Sequence, residues 1–145
     1  MTTGLIALVA ALVVAGAVLL VRRAYDGRIR GAGPVADAPV DPAKTLTAGD
    51  LGSPLGERAT LVHFSTAFCQ PCRAARRVLG EVADVVPGVV HTEVDAESRL
   101  DLVRRFGVLR TPTVLVLDGA GRIVRRASGA PRKEQVLAAL GEVVG

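Results

Sequence analysis

Two cysteines stand in the stretch "FCQPCR" at residues 68–73, and they are the only two in a chain of 145 residues. A pair with two residues between them admits three uses: reversible disulfide exchange, metal ligation by soft thiolates, or a static staple. On a helix, residues three apart have Cβ atoms about 5–6 Å apart, so a disulfide there opens and closes with little adjustment. Pro71 suits a first helical turn, where a missing N–H costs nothing. A thiol at such a helix start, Cys69, faces unpaired N–H groups and the positive end of the helix dipole. In such motifs a thiol of pKa about 8.5 is commonly pulled down to about 3.5–7.5. Arg73 adds positive charge nearby, and Cys72, one turn further in, is expected to be less exposed and to act second. For the metal use, only His63 and His91 could add nitrogen donors, and they lack the paired spacing of a zinc site. A copper(I) carrier needs only two thiolates, so a copper- or zinc-handling module is the alternative to redox work.

The elements that position these residues alternate in type. "ATLVHFS" (59–65) is a mostly apolar run of strand formers and reads as a buried strand. "CRAARRVLGEVADVV" places Ala75, Val78, Leu79, Val82 and Val86 on one helical stripe that ends at Pro87-Gly88. "VVHTEV" (89–94) predicts a second strand and "ESRLDLVRRF" a second helix, with Leu100, Val103 and Phe106 inward and Gly107 as its stop. "TVLVL" (113–117), the turn "DGAG" and "RIVRRAS" predict a hairpin. "PRKEQVLAALGEVV" closes with a helix burying Val136, Leu137, Leu140 and Val144. The order is β-α-β-α-β-β-α, an α/β fold. Helices between the first three strands imply parallel crossovers, and the glycine turn implies an antiparallel hairpin, hence a mixed sheet. The cysteines fall between the first strand and the helix after it.

The chain opens differently. From Gly4 to Val21 there are 18 residues without a charge. As a helix these span about 27 Å, close to the roughly 30 Å thickness of bilayer hydrocarbon. Nothing basic precedes the run and Arg22-Arg23 follow it, the reverse of a cleaved signal peptide. A retained single-pass anchor is expected, with residues 1–23 as anchor and basic flank, 24–45 as a Pro/Gly-rich linker and 46–145 as the domain. Arg22, Arg23, Arg28 and Arg30 all lie C-terminal to the run, which places the domain on the cytoplasmic side of a cell membrane. These arginines carry most of the net charge of +4, leaving 14 basic and 13 acidic side chains after residue 33. A groove for nucleic acid, which needs concentrated basic residues among aromatics, is not expected.

Arg104-Arg105 and Arg125-Arg126 read as solvated faces, the latter blunting an edge strand. Asp95 reads as a turn-former before the second helix, and Glu93, Asp95 and Glu97 as only superficially like a metal cluster.

Taken together, "LVHFSTAFCQPC", "EVDAE", "FGVLRTPTVLVLDGAGRIV" and the late "SGA" resemble the thioredoxin family from about Ala59 to the C-terminus, with a weaker opening from Leu46. The resemblance implies that family's fold and a protein-disulfide oxidoreductase activity that needs no bound cofactor. It makes Cys69 the attacking thiolate and Cys72 the resolving thiol. Pro112 matches the family's cis-proline, Thr111 presents its backbone to an extended client, and Gly129 matches the glycine of the last loop. Phe68, Gln70 and Pro71 complete the client-binding surface. Phe68 stands where tryptophan is common and Gln70 where thioredoxin has glycine. His63 occupies the place of a buried aspartate that shuttles the proton of the resolving cysteine, a task a neutral imidazole of ordinary pKa about 6.5 could perform; the alternative is a histidine that only packs and hydrogen-bonds in the strand. The partners implied are disulfide-bearing clients and a separate electron donor, such as a thioredoxin reductase or a membrane thiol carrier. A cytoplasmic setting favours the reducing direction. A redox-silent scaffold is the remaining reading, and the intact cysteines speak against it.

Overall fold

The computed structural model describes residues 11–19, 41 and 44–145 of the chain. The chain falls into two units, Met1–Gly31 and Ala32–Gly145. In the first, residues 11–19 are helical (α1) and rich in exposed side chains. Among the described residues no helix is long and apolar enough to cross a membrane. Half of the expected span, and nearly all of the expected linker, lie outside the described residues.

The second unit runs α2 (Ala48–Leu51), β1 (Ala59–Ser65), α3 (Gln70–Val85), β2 (Val89–Asp95), α4 (Leu100–Phe106), β3 (Thr113–Asp118), β4 (Ile123–Ser128) and α5 (Lys133–Val144). The expected order is present, preceded by the four-residue α2 that periodicity is too short to reveal. Thr47 caps α2 by accepting the Asp50 N–H, while Asp50 accepts the Thr47 N–H, so two donors with no helical partner are satisfied reciprocally.

The sheet is mixed, in the order β2-β1-β3-β4. β1 pairs parallel with β2, but β3 runs antiparallel to β1, against the expectation of parallel crossovers throughout. The reason is length. With 7 residues, α4 spans about 10 Å, half the roughly 20 Å of a six-residue strand, so the chain is not carried back to its starting edge before β3 begins. β3 therefore starts at the edge where β2 ended and runs the other way. β4 returns antiparallel through the predicted hairpin.

β1 is buried along its whole length because each face of the sheet carries its own core. Val62 and Phe64 point to one side, with Leu102 and Phe106 of α4 and Leu46 near α2. Ala59 and Leu61 point to the other, with Leu79 and Val82 of α3 and Val136 and Leu140 of α5. Each large apolar side chain so buried contributes on the order of 1.5–3 kcal/mol.

In two helices one residue expected inward faces out, Leu100 in α4 and Leu137 in α5. In α4 the buried pair is Leu102 and Phe106, while Leu100 is half exposed and Val103 only partly buried. The Asp95 carboxylate accepts the Glu97 N–H in a tight turn, which delays the helix start to Leu100 and resets its inner face. In α5 the stripe is Val136, Ala139 and Leu140, with Val143 and Val144 partly buried, and Leu137 falls outside it.

Candidate redox site

The loop from Thr66 to Cys69 carries the chain from the end of β1 into α3. Cys69 is the N-cap of α3, and its Sγ lies 3.2 Å from the Cys72 N–H, which donates to it. Pro71 sits in the first turn, as expected. The two cysteines are joined as a disulfide with Cα atoms 5.2 Å apart. Cys69 is partly exposed, whereas Cys72 is buried on the inner face of α3 together with Ala75, Leu79 and Val82. The two sulfurs therefore differ in access, and a helix-start N–H already points at the outer one. Among the described residues no group of three or more His, Cys, Asp or Glu is arranged to hold a metal ion.

Three loops meet at this edge of the sheet. The Thr111–Pro112 peptide is cis. Thr111 Oγ1 lies 3.2 Å from Thr66 Oγ1, tying the proline loop to the cysteine loop. Gly129 donates its N–H to the Pro112 carbonyl at 2.7 Å with φ of 95°, a conformation that favours glycine. Among the described residues, no hydrogen bond occupies the N–H or C=O of Thr111, so both remain open to an extended chain. Phe68, Cys69, Gln70 and Arg73, with Ala67, line an open cavity of about 230 Å³ beside the disulfide. All the site residues expected from the sequence except His63 thus lie on or beside this edge.

His63 lies deeper. It is fully buried in β1, and alternation along the strand turns it to the same side as Ala59 and Leu61, the layer on which α3 buries Cys72. Its ring stacks on His91 of β2, with centroids 5.9 Å apart. Neither of its ring nitrogens, nor Nε2 of His91, has a hydrogen-bond partner. Burial is the main cause that lowers the His63 pKa to about 4, and it lowers that of His91 as well. The ring thus departs from its ordinary value, because desolvation penalises the cation and favours the neutral imidazole.

Sequence reasoning did not find the network beside these rings. Arg76 binds Glu93 through two nitrogens, at 2.5 and 2.6 Å, and Ser65 donates its hydroxyl to the same carboxylate at 2.6 Å. The Arg76 hydrogen bond is the main cause that lowers the Glu93 pKa to about 2. The signal was present, because Arg76 follows Cys72 by four residues and so shares its side of α3.

The arginine pairs are also more than solvated faces. Arg126 donates to the carbonyls of Phe106 and Gly107, both at 2.6 Å, and so clamps the end of α4 from which the Pro112 loop departs. Arg105 lies over the Phe106 ring and pairs with Asp50, and Arg125 pairs with Glu142. Arg126→Gln is therefore expected to release two carbonyls of a helix terminus and lower stability by about 1–3 kcal/mol. Urea denaturation checks this, and an unchanged midpoint removes Arg126 from the account of the loop.

Comparison with known proteins agrees with the geometry. The thioredoxin family model matches residues 50–142. A thioredoxin from Alicyclobacillus acidocaldarius subsp. acidocaldarius is 32% identical over 90 residues, covering 61% of this chain and 85% of the relative. A bifunctional thioredoxin reductase/thioredoxin from Mycobacterium leprae is 31% identical over 88 residues, covering 60% of this chain and 19% of the relative. Among solved structures, a mutant thioredoxin from Halobacterium salinarum NRC-1 superposes with a TM-score of 0.57 at 18% identity, covering 61% of this chain and 77% of that one.

Proposed function

We propose, proceeding from the fact that this chain belongs to the thioredoxin family and is a thiol–disulfide oxidoreductase, that it is a membrane-tethered reductant of client proteins working through Cys69 and Cys72. The observation that carries the assignment of roles is the asymmetry of the pair: Cys69 is partly exposed at the helix cap and Cys72 is buried one turn inside. The Cys69 thiolate attacks a client disulfide, forming a mixed disulfide and releasing one client thiolate. Cys72 then gives up its proton and attacks Cys69 Sγ, forming the Cys69–Cys72 disulfide and releasing the second client thiol. Two electrons pass to the client, and a separate donor of the thioredoxin reductase or membrane thiol-carrier class restores the dithiol. The client strand lies along Thr111 and Pro112, against Phe68, Gln70, Pro71 and Gly129. His63 takes the Cys72 proton in the second step.

The tether rests on the 18 uncharged residues from Gly4 to Val21, and the cytoplasmic orientation on the four arginines that follow them. In a cytoplasmic thiol pool the reduced form predominates, which supports the reducing direction. Reduction of insulin by the reduced protein tests the activity, and failure of this assay with a folded, fully reduced protein overturns the reading. Intact cells treated with a membrane-impermeant thiol reagent should leave Cys69 unmodified until they are permeabilised. Labelling before permeabilisation reverses the orientation.

A further inference from the structure

The client surface carries a marked imbalance of charge. It is built from three segments, 66–73, 107–112 and 128–132, and these hold Arg73, Arg110 and Arg132 with no aspartate or glutamate. All three segments meet at the same edge of the sheet. The Thr66–Thr111 contact joins the first two, and the Gly129 N–H to Pro112 carbonyl bond joins the last two. Elsewhere on the domain five arginines are matched by acids, Arg76 by Glu93, Arg99 by Asp101, Arg105 by Asp50, Arg122 by Asp118 and Arg125 by Glu142, while Arg58 and Arg126 bind backbone carbonyls. Among the described residues, neither Arg73 nor Arg110 has an ion pair or hydrogen bond through its side chain. Asp95, the last residue of β2, pairs with Ser65 beside the cysteine loop, but it and Glu97 lie on the opposite side of β1 from the proline loop, and the Asp95 carboxylate is engaged by the Glu97 N–H.

Phe68 lines the same cavity as Arg73, and Leu109 precedes Arg110 in the proline loop; these are the two most exposed large apolar side chains described in the domain. Phe68 is fully exposed and Leu109 is 94% exposed, one in the cysteine loop and one in the proline loop. Exposed apolar groups flanking a reactive centre mark a contact surface. The arginines beside them determine which partner that surface accepts, because like charges face to face oppose association and opposite charges steer it.

We propose that this oxidoreductase selects clients whose reactive cysteine is flanked by acidic residues and an apolar side chain, with Arg73 and Arg110 reading the acids and Phe68 and Leu109 receiving the apolar group. The proposal rests on the redox reading above. It concerns the rate of the first step, formation of the mixed disulfide, since that step requires the client to settle into the cavity beside Cys69. The positive surface also holds the client near a thiolate that the same charge favours.

The test uses the reduced full chain, a small neutral disulfide, and two cystine peptides of equal length. Both peptides carry one leucine beside the cysteine, and they differ in having two aspartates or two lysines around it. Each peptide rate is normalised to that of the neutral disulfide. The acidic peptide is expected to react about tenfold faster at low ionic strength, with the ratio shrinking several-fold in about 0.5 M salt. Arg73→Glu/Arg110→Glu should invert the ratio, and Arg110→Glu alone, which leaves the charge next to Cys69 in place, should bring it close to one. A ratio within about twofold of one in the unaltered chain, or one unmoved by either variant, overturns the proposal while reduction of the neutral disulfide keeps the redox reading intact. If the neutral disulfide is not reduced either, the redox reading fails and the proposal falls with it.

Discussion

Cys72→Ser is expected to accumulate client proteins as mixed disulfides through Cys69, because attack survives and resolution is lost. The partly exposed Sγ at the α3 cap still has the helix-start N–H groups to stabilise its thiolate, while the buried position one turn in no longer holds a second nucleophile. Turnover with insulin should fall to background, and the trapped species should dissolve on adding a small thiol. Cys69→Ser should trap nothing, since Cys72 is only 1% exposed and cannot reach an intact client disulfide. Non-reducing electrophoresis of both variants after incubation with an oxidised client reads the result. Equal trapping by the two variants refutes the order of attack.

The second large effect concerns His63. Ionising Cys72 in an apolar layer is costly without a proton acceptor, and an acceptor contributes typically 10²–10⁴-fold to the step it serves. With its pKa lowered to about 4 by burial, His63 is no resting proton store. On the proposed mechanism it acts as a neutral base whose ring nitrogens have no partner, and it takes the Cys72 proton as negative charge develops on that sulfur and favours the cation again. His63→Ala should therefore slow reduction by at least about tenfold at pH 7, with a smaller deficit at pH 9, where the thiol ionises unaided. A folded variant that keeps its rate from pH 6 to pH 9 makes His63 a packing residue only.

A separate readout follows from linkage. The folded pKa lies below the unfolded 6.5, so the unfolded chain binds more protons between the two values. The contribution of neutral His63 is complete above pH 6.5 and is lost as pH falls toward 4, amounting to about 3 kcal/mol. His91 is shifted in the same direction, and Glu93 adds a further loss only below about pH 4.5. Urea midpoints measured from pH 7 to pH 4 should therefore fall steeply, and less steeply in His63→Leu.

Much of this arrangement was legible in the chain and part was not, for physical reasons. β1 was read to the residue, because seven consecutive buried positions bounded by Arg58 and a cysteine loop leave little freedom. The redox pair, the cis-proline and the Gly129 loop were legible through motif and order. The direction of β3 was not, since it depends on how far α4 carries the chain, and a helical pattern does not state its length. Leu100 and Leu102, two residues apart, lie on nearly opposite faces of α4, and the Asp95 turn decides which is buried. The His63–His91 stack depends on the parallel register of β1 with β2, which pairs Leu61 with His91 and His63 with Glu93, residues 30 apart. The Arg76–Glu93 pair depends on how α3 lies against β2, 17 residues on. Arg126 looked like a solvated edge charge because the helix end it clamps is 19 or 20 residues away in sequence.

The two cores on opposite faces of the sheet also divide the domain in time. β1 and β3 are its interior strands, paired on both sides and covered on both faces, so their amide protons should be the last to exchange with solvent. The proline loop hangs from α4, two turns long, held by Leu102, Phe106 and the Arg126 clamp. Such a short element opens locally at far lower cost than the sheet, so its amides should exchange early. The cysteine side of the client groove thus belongs to the slow-exchanging frame and the proline side to the fast one, which lets one wall adjust to different clients while the sulfurs keep their place.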